Sequence, residues 1–310
     1  MKAVRVHEYG GPEVLLVEDV AVPAITADEL LIEVRACGIN PLDAWFRSGH
    51  LAARIPRPLP YTPGADIVGI VTQRGANVRT FAVGDWVMGI LTPLADGGYA
   101  EYVAADAGRF AALPAGLNPV RAAAGMTPGV TGLQMVDKAL SIQDCRHVLL
   151  LGALGAVGRA ALARAIEKGI QVTAVVRFGR EEEVLALGAA NVLTGESAPP
   201  AGKILGTFSC ILDTVGPQAV APWEQALAAD GVVVSVVPLP PPAFSRTDIT
   251  MVPFAYSPDP QSLTKAAEFM QSGHFGERAI ETLTLNETHK AHMVLPSSAG
   301  GRKFVVTPRS

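Results

Sequence analysis

Three groupings in the sequence could do chemistry. The first is ACGINPLDAWF (36–46), where Cys37 and Asp43 stand six residues apart around Asn40 and Pro41. A thiolate and a carboxylate at that spacing could begin a metal site. The same stretch could be a turn enclosing a small buried thiol, since free cysteine often packs as a small apolar residue. The second is GALGAVG (152–158), with glycines at 152, 155 and 158 between the apolar run HVLLL (147–151) and the helical pattern AVGRAALARAIEKG. A helix N-terminus carries unpaired N–H groups and partial positive charge, so a pyrophosphate can rest there if no side chain intervenes. Strand, glycine turn and helix in direct succession are the context that makes such a pattern a dinucleotide site rather than a tight packing turn, although the spacing is GxxGxxG and not GxGxxG. The third is Arg177-Phe178-Gly179-Arg180, directly after VTAVV (172–176). NAD binders place an acid about 20 residues beyond the glycines to hold the ribose hydroxyls. Here no acid occupies the strand end, and Arg177 lies 25 positions after Gly152. A guanidinium can chelate a 2′-phosphate bidentately. Arg177 and Arg180 therefore point to NADP(H).

The elements around these groups fall into two patterns. In LLIEVRA (30–36), Leu30, Ile32 and Val34 share one face and Leu31, Glu33 and Arg35 the other, as in a half-buried strand. IVGIVTQ (67–73) and YAEYVAA (99–105) read alike, with turn residues between them, which suggests an antiparallel barrel or sandwich. From about residue 122 the apolar runs become continuous: HVLLL, VTAVV, CIL (210–212) and VVVSVV (232–237). Strands buried on both faces of a parallel sheet read this way. Helices at 156–169 and 181–188 alternate with them, so the middle of the chain is α/β. PLPPPAF (238–244) reads as loop and DITMVPF as an edge strand. A helix follows with Asp259 as cap and Pro260 in its first turn, and the tail holds a short helix near 287–294 and a strand, KFVV.

Bulk properties narrow the classes. The 310 residues suffice for two domains, and 49% hydrophobic content supplies their cores. A net charge of −4, with both signs interspersed, gives nucleic acid no basic patch to bind. Three scattered cysteines argue against a disulfide framework and for a reducing, cytoplasmic setting. The N-terminal MKAVRVHEYGGPEVL contains no apolar run of signal-peptide length, and VLLLGALGAVG is too short to span a bilayer.

Taken in order, GGPEVL, ACGINPLDAWFRSG, LPYTPGADIVG, GANVRTFAVGDWVMG, GGYAEYV, GALGAVG, LGAANV and the His292 region resemble the zinc-independent quinone oxidoreductases. These are the zeta-crystallin-like branch of the medium-chain dehydrogenase/reductase superfamily. The resemblance implies a GroES-like β-rich catalytic domain (1–121 and 271–310) and a doubly wound parallel-sheet Rossmann domain (122–270), with a cofactor cleft between them. It implies a homodimer joined through an edge strand, expected in DITMVPF. It also implies NADPH contacts from Trp45, Thr131, Gly152, Leu154, Gly155, Ala156, Val157, Gly158, Arg177, Arg180, Gly216, Val237, Pro238 and Leu239. Ala156 replaces a glycine of the usual loop, Trp45 stands for a tyrosine, Leu51 for another, and Pro217 and the Val237-Pro238-Leu239-Pro240 run depart from the pattern. Zinc-dependent relatives carry cysteine and histidine ligands where Asn40 and Ala65 stand here, and neither can replace N and S donors on Zn²⁺. No metal is expected.

The resulting expectation is metal-free hydride transfer from NADPH to a quinone or another α,β-unsaturated carbonyl. Asn40 either donates an amide N–H to the acceptor oxygen or simply holds the turn before Pro41. Tyr61, His50 or solvent would supply the proton. Two other readings are an enal/enone (2-alkenal) reductase and a catalytically weak dinucleotide-binding sensor or RNA-binding protein.

Overall fold

The computed structural model describes residues 1–195, 207–237, 242, 244–276, 278–295 and 301–309. Two compact units emerge: 1–127 with 258–271 and 277–310, and 128–257 with 272–276. The helix Pro260–Gln271, which the sequence reading placed in the second domain, groups with the first unit. The reason is its amphipathic face: Leu263, Ala266, Ala267, Phe269 and Met270 are buried, and the helix packs on strands Phe110–Ala112 and Trp86–Ile90. Asp259 caps it, accepting from Gln261 N and Ser262 N at 2.9 Å each.

The first unit is built on the strand Glu29–Gly38. It pairs antiparallel with Asp66–Arg74 and Tyr102–Asp106, and at its far end with Lys303–Val306. Sheet order among the described residues is 280–283, 303–306, 29–38, 66–74, 86–90, 110–112, with 102–106 also on 29–38. Leu30, Ile32 and Val34, the alternating set, enter a core with Val4, Ile67, Val71, Val87, Tyr99 and Phe110. The other face is less polar than alternation suggested, since Leu31 is also buried. Residues 99–101 lie outside the expected strand, which begins at Tyr102. Asn40-Pro41 is not a free turn but the start of a helix, Pro41–Arg47, with Pro41 at its first position.

In the second unit every strand pair is parallel, in the order 191–194, 171–176, 147–151, 208–213, 227–235, 250–253. Numbered along the chain this is 3-2-1-4-5-6, the Rossmann order. Val148 and Leu150 face helices 128–142 and 156–167. Leu149 and Leu151 face Trp223 and the 3₁₀ segment Ala221–Ala226. Burial on both sides explains why this strand reads as one apolar run. Thr250–Pro253 is the edge strand, as DITMVPF suggested. The strand Asn191–Thr194 carries little sequence signal, with two half-buried and two exposed residues. Among the described residues no helix is long and apolar enough to cross a membrane.

Candidate active site

The glycine turn lies where the sheet order reverses, after strand 147–151 and beside strand 208–213. In open α/β sheets ligands bind at that switch point. Gly152 has φ +77°, a conformation L side chains rarely adopt. Gly158 is the third residue of helix Ala156–Glu167, and a Cβ there would sit 2.1 Å from the Gly152 carbonyl oxygen. Gly155 is the exposed N-cap and its N–H donates to Gly152 O at 2.8 Å. No acid occupies the first turn of this helix. Ala156 and Val157 open it, and Leu154 precedes its cap.

The neighbouring strand end braces the turn in a way the sequence reading missed. Thr214 Oγ1 donates to Leu151 O at 2.8 Å. The buried Asp213 carboxylate accepts from Val215 N and Gly216 N at 2.9 Å each, and from Ser235 Oγ at 2.6 Å. Ser235 in turn accepts from Val237 N at 3.3 Å. Thus Gly216 and Val237 are brought to the same edge of the sheet as the glycine turn. The signal was DTVG, where an acid three residues before a glycine can tie a loop through its own backbone. Thr131 is buried in the helix Pro119–Ile142. Pro238 and Leu239 lie outside the described residues.

Arg177 is exposed and directly follows strand Gln171–Val176. Arg180 belongs to an ion network. Its Nε donates to Glu183 Oε2 at 2.6 Å, and the same carboxylate is paired with the buried Arg159. Arg159 also donates from Nε to Leu154 O at 3.2 Å, tying this ion network to the glycine turn.

In the first unit, Asn40, Trp45 and Tyr61 have distinct surroundings. Trp45 is half-buried on helix Pro41–Arg47, its ring centroid 6.2 Å from that of His50. Tyr61 is buried under the Arg57 guanidinium, 3.7 Å from the ring centroid. Its hydroxyl has no hydrogen-bond partner among the described residues, and burial raises its pKa. Asn40 is buried, and both ends of its amide are engaged. Nδ2 donates to Asp66 Oδ2 at 2.9 Å, while Oδ1 accepts from Lys303 Nζ. The Asn40 N–H donates to Asp43 Oδ2 at 2.8 Å. Asp66 also binds the Thr127 hydroxyl, and Lys303 Nζ donates to Ile39 O at 2.7 Å. Cys37 is fully buried, and burial, with the nearby Asp43 and Asp66 carboxylates, pushes its thiol pKa well up. Lys303 was invisible inside a strand-like KFVV, and Asp66 had no partner to suggest it.

A second buried chain adjoins Asp43. Tyr99 Oη lies 3.4 Å from Asp43 Oδ2 and 3.2 Å from His292 Nε2. Burial lowers the His292 pKa to about 3 and raises that of Asp43 to about 6. The two act oppositely on stability. His292 stays neutral in the folded chain where the unfolded chain, with a pKa of 6.5, binds a proton, so it makes stability fall as pH drops from 6.5 toward about 3. Asp43 keeps its proton when folded between 3.8 and about 6, so it makes stability rise as pH drops through that range. His292→Asn removes only the first contribution. Relative to the wild type, the variant is expected to gain about 2 kcal/mol of unfolding free energy between pH 6.5 and 4.5. Urea titrations at the two pH values measure this; equal shifts in both proteins would contradict it.

Comparison with known proteins places these features in a family. Residues 26–115 match the alcohol dehydrogenase GroES-like domain. The quinone oxidoreductase of Lama guanicoe is 44% identical over 168 residues, which cover 53% of this chain and 50% of that protein. The chain thus spans about half the length of that relative. The chloroplastic quinone-oxidoreductase homolog of Spinacia oleracea is 30% identical over 252 residues, 77% of this chain and 76% of that one. The solved quinone oxidoreductase of Coxiella burnetii superposes with a TM-score of 0.83 at 25% identity, covering 100% of this chain and 99% of that one. A GroES-like first unit, a Rossmann second unit and sequence likeness across most of a named relative lead to one assignment: the chain belongs to the quinone oxidoreductases, the zeta-crystallin-like branch of the medium-chain dehydrogenase/reductase superfamily.

Proposed function

We propose that the chain is an NADPH:quinone oxidoreductase that passes a hydride to a quinone or a related α,β-unsaturated carbonyl. The observation that carries this reading is the glycine turn at 152–158, where the helix packs so closely on the turn that a Cβ at Gly158 would meet the Gly152 carbonyl, opening onto a helix start free of acids. The name shared by the guanaco and spinach relatives supports the reaction class. Backbone N–H groups at the helix start would hold the pyrophosphate and Arg177 the 2′-phosphate. Bound NADPH supplies the hydride. The protein's own part is to bind, orient and exclude water. Asn40 offers an amide N–H to the acceptor's carbonyl oxygen, where negative charge develops. Quinones and enones are already electrophilic, so a neutral donor suffices. Tyr61, with its raised pKa and unpartnered hydroxyl, is a poor acid, and solvent supplies the proton.

The test follows NADPH absorbance with 1,4-benzoquinone, 9,10-phenanthrenequinone and a 2-alkenal, with and without chelator. Oxidation by a quinone, indifferent to chelator, is the expected outcome. Turnover with the alkenal alone would move the assignment to enone reduction. Tight NADPH binding with no oxidation by any acceptor would overturn it.

A further inference from the structure

We infer that Lys303 and Asp66 are positioning residues that fix which end of the Asn40 amide faces the acceptor. The inference rests on the quinone oxidoreductase reading and deepens it. An asparagine amide has an accepting oxygen and a donating NH₂, and in an even environment either end can point either way. Asn40 has no such freedom. Lys303 Nζ, which can only donate, meets Oδ1. Asp66 Oδ2, which can only accept when ionised, meets Nδ2 at 2.9 Å. Turning the amide over would set NH₂ against ammonium and oxygen against carboxylate.

The anchors are themselves held. Lys303 sits in strand Lys303–Val306 and also donates to Ile39 O at 2.7 Å. Asp66 opens strand Asp66–Arg74 and is bound by the Thr127 side chain. Lys303 is 8% exposed, Asp66 0% and Asn40 6%, so water competes little for any of them. Of the two N–H bonds on Nδ2, one goes to Asp66. The second is what Asn40 can give an acceptor. Lys303 pulls electron density toward Oδ1, which makes that N–H a better donor. An ammonium and a carboxylate that never touch the acceptor thereby aim and polarise one neutral hydrogen bond.

Removing Lys303 alone would leave a buried carboxylate unpaired, which threatens folding. The test therefore pairs Lys303→Met with the doubly neutral Lys303→Met/Asp66→Asn, alongside Asn40→Ala and Asn40→Ala/Lys303→Met. NADPH affinity and the melting curve report folding. For the doubly neutral protein, NADPH affinity within about twofold of wild type and a loss in quinone-reducing kcat of about tenfold are expected. Adding Lys303→Met to Asn40→Ala should cost nothing further, because the lysine acts through the amide. A folded, doubly neutral protein with kcat within twofold of wild type would overturn the inference, as would additive losses in Asn40→Ala/Lys303→Met. Either result leaves the reductase reading standing if the wild type still reduces quinones.

A second measurement needs no turnover. The Asn40 side-chain amide, assigned in ¹⁵N spectra by its loss in Asn40→Ala, should show a proton-shift separation well above that of a free asparagine amide in the wild type, because one proton is held by Asp66. The separation should fall toward the free value in Lys303→Met/Asp66→Asn. A wild-type separation no larger than that of free asparagine would overturn the inference whether or not any quinone is reduced.

Discussion

Gly158→Ala is expected to raise the dissociation constant for NADPH by about a hundredfold and to lower the unfolding temperature by several degrees. The added Cβ would lie 2.1 Å from Gly152 O and 2.8 Å from Ala153 Cα, both backbone atoms that no rotamer change can move. The helix Ala156–Glu167 would have to back away from the strand. Its other side is already close-packed: at Gly132, on helix Pro119–Ile142, a Cβ would stand 2.5 Å from Val157 O and 2.6 Å from Ala160 Cβ. Overpacking of this kind costs about 1–3 kcal/mol. The same displacement, about 1 Å, moves the N–H groups that would meet the pyrophosphate, and each hydrogen bond to a charged group lost there costs about 1.5–3 kcal/mol, roughly tenfold to a hundredfold in affinity. Gly155→Ala is the control. Its Cβ would meet only Gly152 O, at 3.1 Å, on the exposed side of the turn, so stability should change little. Titrations of NADPH fluorescence with thermal melts separate the two variants. Gly158→Ala binding NADPH within threefold of wild type would mean that this turn does not hold the dinucleotide.

What could be read from the sequence was what depends on local pattern. The alternation of LLIEVRA, the continuous run HVLLL, the glycine turn and the Asp259-Pro260 helix start are each decided by neighbours a few residues apart. What could not be read depends on residues far apart in the chain. Lys303 reaches Asn40 across 263 positions, and Tyr99 reaches His292 across 193. Nothing in KFVV distinguishes a lysine turned inward onto a carbonyl from one turned to water. Asn-Pro commonly marks a turn, and the sequence leaves open whether Asn40 holds that turn or donates to the acceptor. Here the helix begins at Pro41, and the Asp43 carboxylate accepts from the Asn40 N–H at its start. The grouping of helix Pro260–Gln271 with the first unit was likewise hidden, because its amphipathic face is legible but the surface that receives it is not.

Arg177→Ala is expected to lower the ratio of NADPH to NADH affinity by tenfold to a hundredfold, with Arg180→Ala lowering it by no more than about threefold. A charge-assisted hydrogen bond is worth about 1.5–3 kcal/mol, which converts to that range. Position favours Arg177: it follows directly on strand Gln171–Val176, the neighbour of strand His147–Leu151 that leads into the glycine turn. An acid that would bind ribose hydroxyls and repel a 2′-phosphate is missing from this strand end. Two arginines in RFGR look equivalent in sequence, and the structure shows Arg180 held in an ion network. Arg180 already shares the Glu183 carboxylate with Arg159, so its charge is largely offset before any ligand arrives. Glu181 and Glu182 stand beside it in the first turn of helix Glu181–Ala186. A 2′-phosphate at Arg180 would have to compete with these carboxylates. Competition by 2′,5′-ADP should weaken in parallel with NADPH in Arg177→Ala, while NADH affinity stays put. Because the site is exposed, the wild-type preference should also shrink as ionic strength rises. An unchanged NADPH to NADH ratio in Arg177→Ala would remove the arginine from the cofactor site and with it the ground for preferring the phosphorylated dinucleotide.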